Sequence, residues 1–102
     1  MDNVNHPSHY NKQGRKECIV EMRDIYGSKC VAYFCITNAY KYLYRAGSKD
    51  GNSKEQDIAK ARWYFDYVTK NLISEVRGRN MVSMYTFIKT ELRRYGGAEW
   101  YK

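Results

Sequence analysis

The apolar residues between Ile58 and Val76 follow the strictest spacing in the chain. The full series is Ile58, Ala61, Phe65, Val68, Leu72 and Val76, and every step is three or four residues long. This spacing places all of its members on one side of an α-helix. We therefore expect a helix of about six turns. Its apolar seam would pack either within the chain or across a subunit interface.

Local signals mark where this helix begins and ends. Asp50-Gly51 is a strong turn signal, and Ser53 followed three residues later by Gln56 makes a capping box. Gly78 is expected to end the helical pattern. The same kinds of signal predict helices over residues 17–26, 28–46 and 81–95, since Gly27, Gly47 and Gly96 follow them.

The predicted fold is all-α, a compact bundle of three to four helices with an extended N-terminal arm. A chain of 102 residues is expected to form one small domain. Within it we distinguish the arm (1–16), a helical core (17–77) and a C-terminal helix with its tail (78–102). Because so short a chain buries a limited core, we expect a homo-oligomer.

The charge balance indicates an anionic partner. Lys and Arg outnumber Asp and Glu by 18 to 11, a formal charge of +7, which suits nucleotides, nucleic acid or an acidic protein alike. The three cysteines are odd in number and lie in apolar stretches, so we expect them to be reduced and buried. No apolar run is long enough for a membrane span.

Two polar stripes are predicted on the neighbouring helices around the central turn. Asn38, Lys41 and Arg45 follow a spacing of i, i+3 and i+7, and Asp57, Lys60 and Tyr64 repeat this spacing on the next helix. If the helices are antiparallel, the stripes face one cleft that suits a polyphosphate, with Asp57 orienting Lys60 or Arg45. The alternative is a set of solvent-exposed charge pairs that contribute little to stability.

The N-terminal arm carries His6 and His9 on either side of Pro7, followed by Tyr10. Near neutral pH, imidazoles can donate hydrogen bonds to phosphate or transfer a proton. Two histidines without further ligands do not make a recognisable metal site, so we predict neither a metal nor a cofactor. The candidate base-stacking rings are Tyr10, Tyr44, Trp63 and Tyr64.

Spaced blocks between residues 3 and 68 resemble a family of small tailed-phage proteins of unknown function, some of which are labelled phage nucleotide kinases. The blocks are Asn5-His6-Pro7-Ser8-His9-Tyr10, Glu17-Cys18-Ile19, Asn38 with Lys41-Tyr42 and Arg45, Lys49, and Asp57 with Lys60-Ala61 and Trp63-Tyr64. The resemblance implies a nucleotide-binding protein that acts in the cytoplasm of a phage host. It adds Lys49 to the phosphate-binding candidates.

Two principal functions stay open. A nucleoside monophosphate phosphotransferase would use His6, His9 and Lys41 as catalytic groups, although the chain has no P-loop. A non-enzymatic sponge would sequester a nucleotide or cyclic nucleotide signal of host anti-phage defence. Binding to nucleic acid, which rests on charge alone, ranks last.

Overall fold

The structure is a computed structural model that describes residues 16–48 and 53–96. In these two stretches four α-helices follow one another: α1 (Cys18–Tyr26), α2 (Ser28–Arg45), α3 (Lys54–Asn71) and α4 (Arg79–Arg94), with a short 3-10 turn at Ile73–Glu75. The predicted all-α class is confirmed, with the helix count at the upper end of the expected range. The arm, except for Lys16, lies outside the described residues.

Helices α2 and α3 form the central pair, and they run antiparallel. Arg45 near the end of α2 lies beside Asp57 near the start of α3, and Tyr42, one turn earlier, lies beside Lys60 and Tyr64. This order follows from the short connection between the two helices. The predicted pairing of the two polar stripes therefore has the geometry that it requires.

The apolar seam of α3 is buried within a single chain. Its members Ile58, Ala61, Phe65, Val68 and Leu72 are at most 7% exposed. They share one core with residues of the other helices, including Val31, Cys35, Ile36, Met81, Ile88 and Leu92. The seam is thus covered by other residues of the same chain, and it offers no reason to expect a subunit interface at that position.

The expectation of one helix through to Val76 was wrong. Helix α3 ends at Asn71, Leu72 leaves helical geometry with φ −132° and ψ 22°, and a 3-10 turn follows. The side chains of Thr69 and Asn71 hydrogen-bond to the carbonyls of Phe65 and Tyr67 within the last turn. Such polar side chains compete for backbone groups and favour helix ends over helix interiors. Leu72 stays buried although the helix has ended, so the apolar spacing continued past the helix.

The cysteines also differ from expectation. All three are free thiols, yet only Cys35 is buried, whereas Cys18 and Cys30 are exposed. Cys18 is the first residue of α1, and Cys30 lies on the solvent side of the first turns of α2. An apolar run within a helix passes over every face, so membership of the run did not determine burial.

Helix α4 closes the core from the other side. Met81, Ile88 and Leu92 are buried, while Tyr95 at the predicted end of this face is 41% exposed. Arg62 of α3 anchors the C-terminal end of α4, because its guanidinium donates hydrogen bonds to the carbonyls of Leu92 at 3.2 Å and Gly96 at 2.6 Å. Among the helices that the structure describes, none has the length and apolar character needed to cross a bilayer.

Candidate functional site

Three cationic side chains surround the ring of Tyr42 on the α2–α3 surface. Lys41 Nζ lies 4.6 Å from the ring centre, the Arg45 guanidinium carbon 4.7 Å, and Lys60 Nζ 5.4 Å. These distances are those of cation–π contacts. We call Lys41, Tyr42, Arg45 and Lys60 the cation cluster. It joins the predicted phosphate-binding residues of both helices.

Tyr64 of α3 supports the cation cluster. Its ring is stacked on Tyr42, with ring centres 6.0 Å apart and planes inclined by 10°. Burial, assisted by the neighbouring Tyr42, raises the pKa of the Tyr64 phenol above its ordinary value. Tyr64 therefore keeps its proton throughout the physiological pH range and remains a hydrogen-bond donor.

Asp57 lies at the edge of the cluster as a fully buried carboxylate. Its Oδ1 is 3.7 Å from Nε of Arg45, and the Asp57 side chain is 0% exposed. Neither carboxylate oxygen accepts a hydrogen bond from the described part of the chain, and Arg45 Nε likewise has no hydrogen-bond acceptor there. Asp57 and Arg45 thus form an ion pair at a distance too long for a hydrogen bond, and the orienting role of Asp57 stays a prediction.

Asn38 lies on the same helix as Lys41 and Arg45, but its amide is already engaged. Nδ2 of Asn38 donates a hydrogen bond of 2.8 Å to the backbone carbonyl of Phe34, one turn earlier. One amide hydrogen remains for a ligand, whereas the free amide oxygen can only accept. Asn38 is therefore a weaker phosphate contact than the sequence pattern indicated.

Tyr44 and Trp63, two of the three base-stacking candidates within the described residues, lie in different places from each other; the third, Tyr64, is stacked on Tyr42. Tyr44 is 81% exposed and stacks on Tyr40 at 6.3 Å, on the side of α2 that faces away from Tyr42. The structure does not bring Tyr44 to the cation cluster. Trp63 instead meets Tyr64 edge to face, with ring centres 5.1 Å apart.

Trp63 and Tyr64 line a cavity of about 260 Å³ that opens beside the cluster. The other lining residues come from the start of α1 and from α2: Glu17, Cys18, Ile19, Met22 and Phe34. Trp63 was predicted as a site residue from the sequence, whereas Phe34 and Glu17 were not, because these residues come together only through packing.

Tyr42 was likewise not predicted as a site residue, although it belongs to the Lys41-Tyr42 block. It lies next to Lys41 and one turn before Arg45, so its closeness to both could have been read from helical spacing. Its contact with Lys60 required the antiparallel packing of α2 and α3.

The remaining candidates cannot be placed. His6, His9, Tyr10 and Lys49 lie outside the described residues, so their catalytic, base-binding and phosphate-binding roles stay predictions. Within residues 16–48 and 53–96, no three His, Cys, Asp or Glu side chains lie close enough together to hold a metal ion.

Comparison with known proteins gives one match. No curated protein and no solved structure is similar to the chain. A family model described as a protein of unknown function, DUF3310, matches residues 4–66, more than half of the chain. The matched segment includes the cation cluster, Asp57 and the rings of Trp63 and Tyr64. The chain therefore belongs to the DUF3310 family.

Proposed function

We propose that the protein binds a nucleoside phosphate, with the phosphates held by the cation cluster. The observation that carries this proposal is the convergence of Lys41, Arg45 and Lys60 on one ring, all within 5.4 Å of its centre. Ammonium and guanidinium groups are the side chains best suited to phosphate oxygens.

The electrostatics of the cluster favour a polyanion. Three positive charges lie close to one ring, and Asp57 offsets one of them. The uncompensated charges repel each other, which costs free energy while the site is empty. A ligand with two or more phosphate charges would relieve that repulsion and gain charge-assisted hydrogen bonds.

Loss of a cation tests the proposal. We expect Lys41→Ala to weaken the binding of ATP by about tenfold or more, because one charged phosphate contact is lost. Lys29→Ala is the matched control, since Lys29 is an exposed lysine near the other end of the same helix. Isothermal titration calorimetry of both variants measures the effect. Equal ATP affinity in the native chain and in Lys41→Ala would show that Lys41 is a solvent-exposed lysine that does not contact the phosphates.

The proposal allows two outcomes, or fates, for a bound nucleotide: phosphoryl transfer or sequestration without reaction. The resemblance to phage proteins with members labelled nucleotide kinases supports phosphoryl transfer from a nucleoside triphosphate to a monophosphate in the host cytoplasm. The cation cluster alone supports sequestration equally well, as in a sponge for a defence signal. Both fates use the same phosphate contacts.

Mass spectrometry separates the two fates. The protein is incubated with ATP and a mixture of nucleoside monophosphates, and the ligands are compared before and after incubation. New diphosphates that disappear in His6→Ala or His9→Ala would establish a phosphotransferase. Unchanged nucleotides that remain bound would establish a sponge.

A further inference from the structure

The cavity beside Tyr64 offers aromatic surfaces in a defined arrangement. Tyr64 meets Phe34 with ring centres 5.8 Å apart and planes at 82°, and it meets Trp63 at 5.1 Å and 85°. Both neighbours thus stand nearly perpendicular to Tyr64. A flat ligand can stack on one of these rings and place its edge against another, which is how proteins commonly hold planar rings.

Tyr64 also connects this cavity to the cation cluster. It lines the cavity and is stacked on Tyr42, around which the three cations lie. The stacked pair of Tyr64 and Tyr42 therefore links the aromatic cavity to the cation cluster. A ligand that occupies both sites needs a planar apolar part and a polyanionic part joined by a short spacer, and a nucleotide has this form.

Among the described residues that line the cavity, Glu17 carries the one charged side chain. A carboxylate accepts hydrogen bonds and donates none, so it favours a base edge that carries an amino group. Adenine, cytosine and guanine each have an exocyclic amino group. Uracil offers a single ring N–H between two carbonyl oxygens, and a carboxylate repels those oxygens.

We propose that this cavity is the base subsite of the nucleotide site, and that Glu17 selects bases with an exocyclic amino group. This inference rests on the proposed function, because it assumes that the cation cluster holds the phosphates. It moves base recognition away from Tyr44, and it assigns roles to Phe34 and Glu17. A cationic ligand would also suit aromatic rings and a carboxylate, but the three neighbouring cations would repel it.

The test compares inorganic triphosphate with nucleotides. Calorimetry is performed on the native chain with sodium triphosphate, ATP, CTP, GTP and UTP. We expect the three amino-bearing nucleotides to bind about fivefold or more tightly than inorganic triphosphate, since stacking of a base contributes about 1–3 kcal/mol. UTP should bind more weakly than the other nucleotides.

Two variants test whether the cavity causes the tighter binding of amino-bearing nucleotides. Phe34→Leu should bring the affinity for ATP close to that for triphosphate and leave triphosphate binding unchanged. Glu17→Gln should abolish the preference for ATP, CTP and GTP over UTP. Tyr26→Leu is the control for loss of an exposed ring, because Tyr26 ends α1 away from the cavity and is 66% exposed.

The outcomes distinguish the inference from the proposed function. If both cavity variants bind all four nucleotides as the native chain does, the base subsite is elsewhere and the inference is wrong, while the cation cluster can still bind phosphate. If triphosphate binds as tightly as every nucleotide, the protein recognises phosphate alone and the inference is also wrong. If the native chain binds neither triphosphate nor nucleotide, the proposed function fails and the inference fails with it.

Discussion

Arg45 contacts both the ring of Tyr42, 4.7 Å from its guanidinium carbon, and the carboxylate of Asp57. In the structure, Arg45 lies 3.7 Å from a carboxylate that is 0% exposed. Removing one member of a buried ion pair leaves the other charge in a poorly solvated position. Loss of Arg45 should therefore reduce stability as well as binding.

A double-mutant cycle measures how much the ion pair of Arg45 and Asp57 contributes to stability. We expect Arg45→Ala to lower the free energy of unfolding by about 2–4 kcal/mol, less than a fully buried pair would because Arg45 is 26% exposed. Asp57→Asn should relieve part of that loss in the double variant, since the unpaired charge is then gone. Urea denaturation followed by circular dichroism gives the four free energies. Additive losses would show that the two side chains do not interact.

The thiols give a second test at the scale of single residues. Burial raises the pKa of Cys35 to about 12, while Cys18 and Cys30 are exposed. The thiolate is the reactive form, so Cys35 should be inert at neutral pH in the native chain. We expect Ellman's reagent to label two thiols rapidly in the folded protein and the third only in denaturant. Rapid labelling of all three thiols without denaturant would contradict the buried position of Cys35.

At the scale of helices, the start of α3 is fixed by a complete capping box. The Ser53 hydroxyl accepts a hydrogen bond from the backbone N–H of Gln56 at 3.1 Å, and the Gln56 side chain accepts one from the N–H of Ser53 at 3.0 Å. The first two turns of this helix carry Asp57 and Lys60. The cap therefore supports the part of α3 that contributes to the cation cluster.

Ser53→Ala tests the cap. We expect a loss of about 1 kcal/mol in the free energy of unfolding, because one N-terminal N–H loses its acceptor. Ser83→Ala is the control, since Ser83 is an exposed serine within α4. Urea denaturation of the two variants makes the comparison. A Ser53→Ala chain as stable as the native chain would mean that water replaces the cap without cost.

The helices show which parts of the fold the sequence could predict. Local chemistry was sufficient for the capping box, for the break at Gly27 and for the common face of Lys41 and Arg45, because each depends on neighbours within about one turn. The end of α3 at Asn71 was not predicted, since apolar spacing continued to Leu72. The cavity was also missed, because Glu17 and Phe34 meet Trp63 only when three helices pack.

At the scale of the whole molecule, a homo-oligomer stays a prediction, but the surface expected to join the subunits is no longer the α3 seam. The α3 seam is buried within the chain, so it cannot form the interface. Four aromatic side chains are exposed on one side of α2 and on α4 instead: Tyr33, Tyr40, Tyr44 and Phe87. Tyr40 contacts both Tyr44 and Phe87, with ring centres 6.3 and 6.0 Å apart. We call these four residues the aromatic strip.

A second copy of the chain is the occupant that best fits the aromatic strip. The four rings leave roughly 400 Å² exposed, taking about 200 Å² for each ring, which is about half of what each partner buries in a standard interface. None of the four residues is charged, so two strips can meet about a two-fold axis although each chain carries a charge of +7. An acidic partner would instead be drawn to the cationic surfaces.

We therefore expect a dimer that depends on Tyr44, the most exposed ring of the strip at 81%. Tyr44→Glu should give a monomer, because it would place two carboxylates in an apolar interface where neither has a partner. Tyr26→Glu, which changes an exposed tyrosine outside the strip, should remain a dimer. Light scattering at micromolar concentration measures the mass of each. A monomeric native chain, or a Tyr44→Glu chain that still forms dimers, would show that the strip does not join two copies.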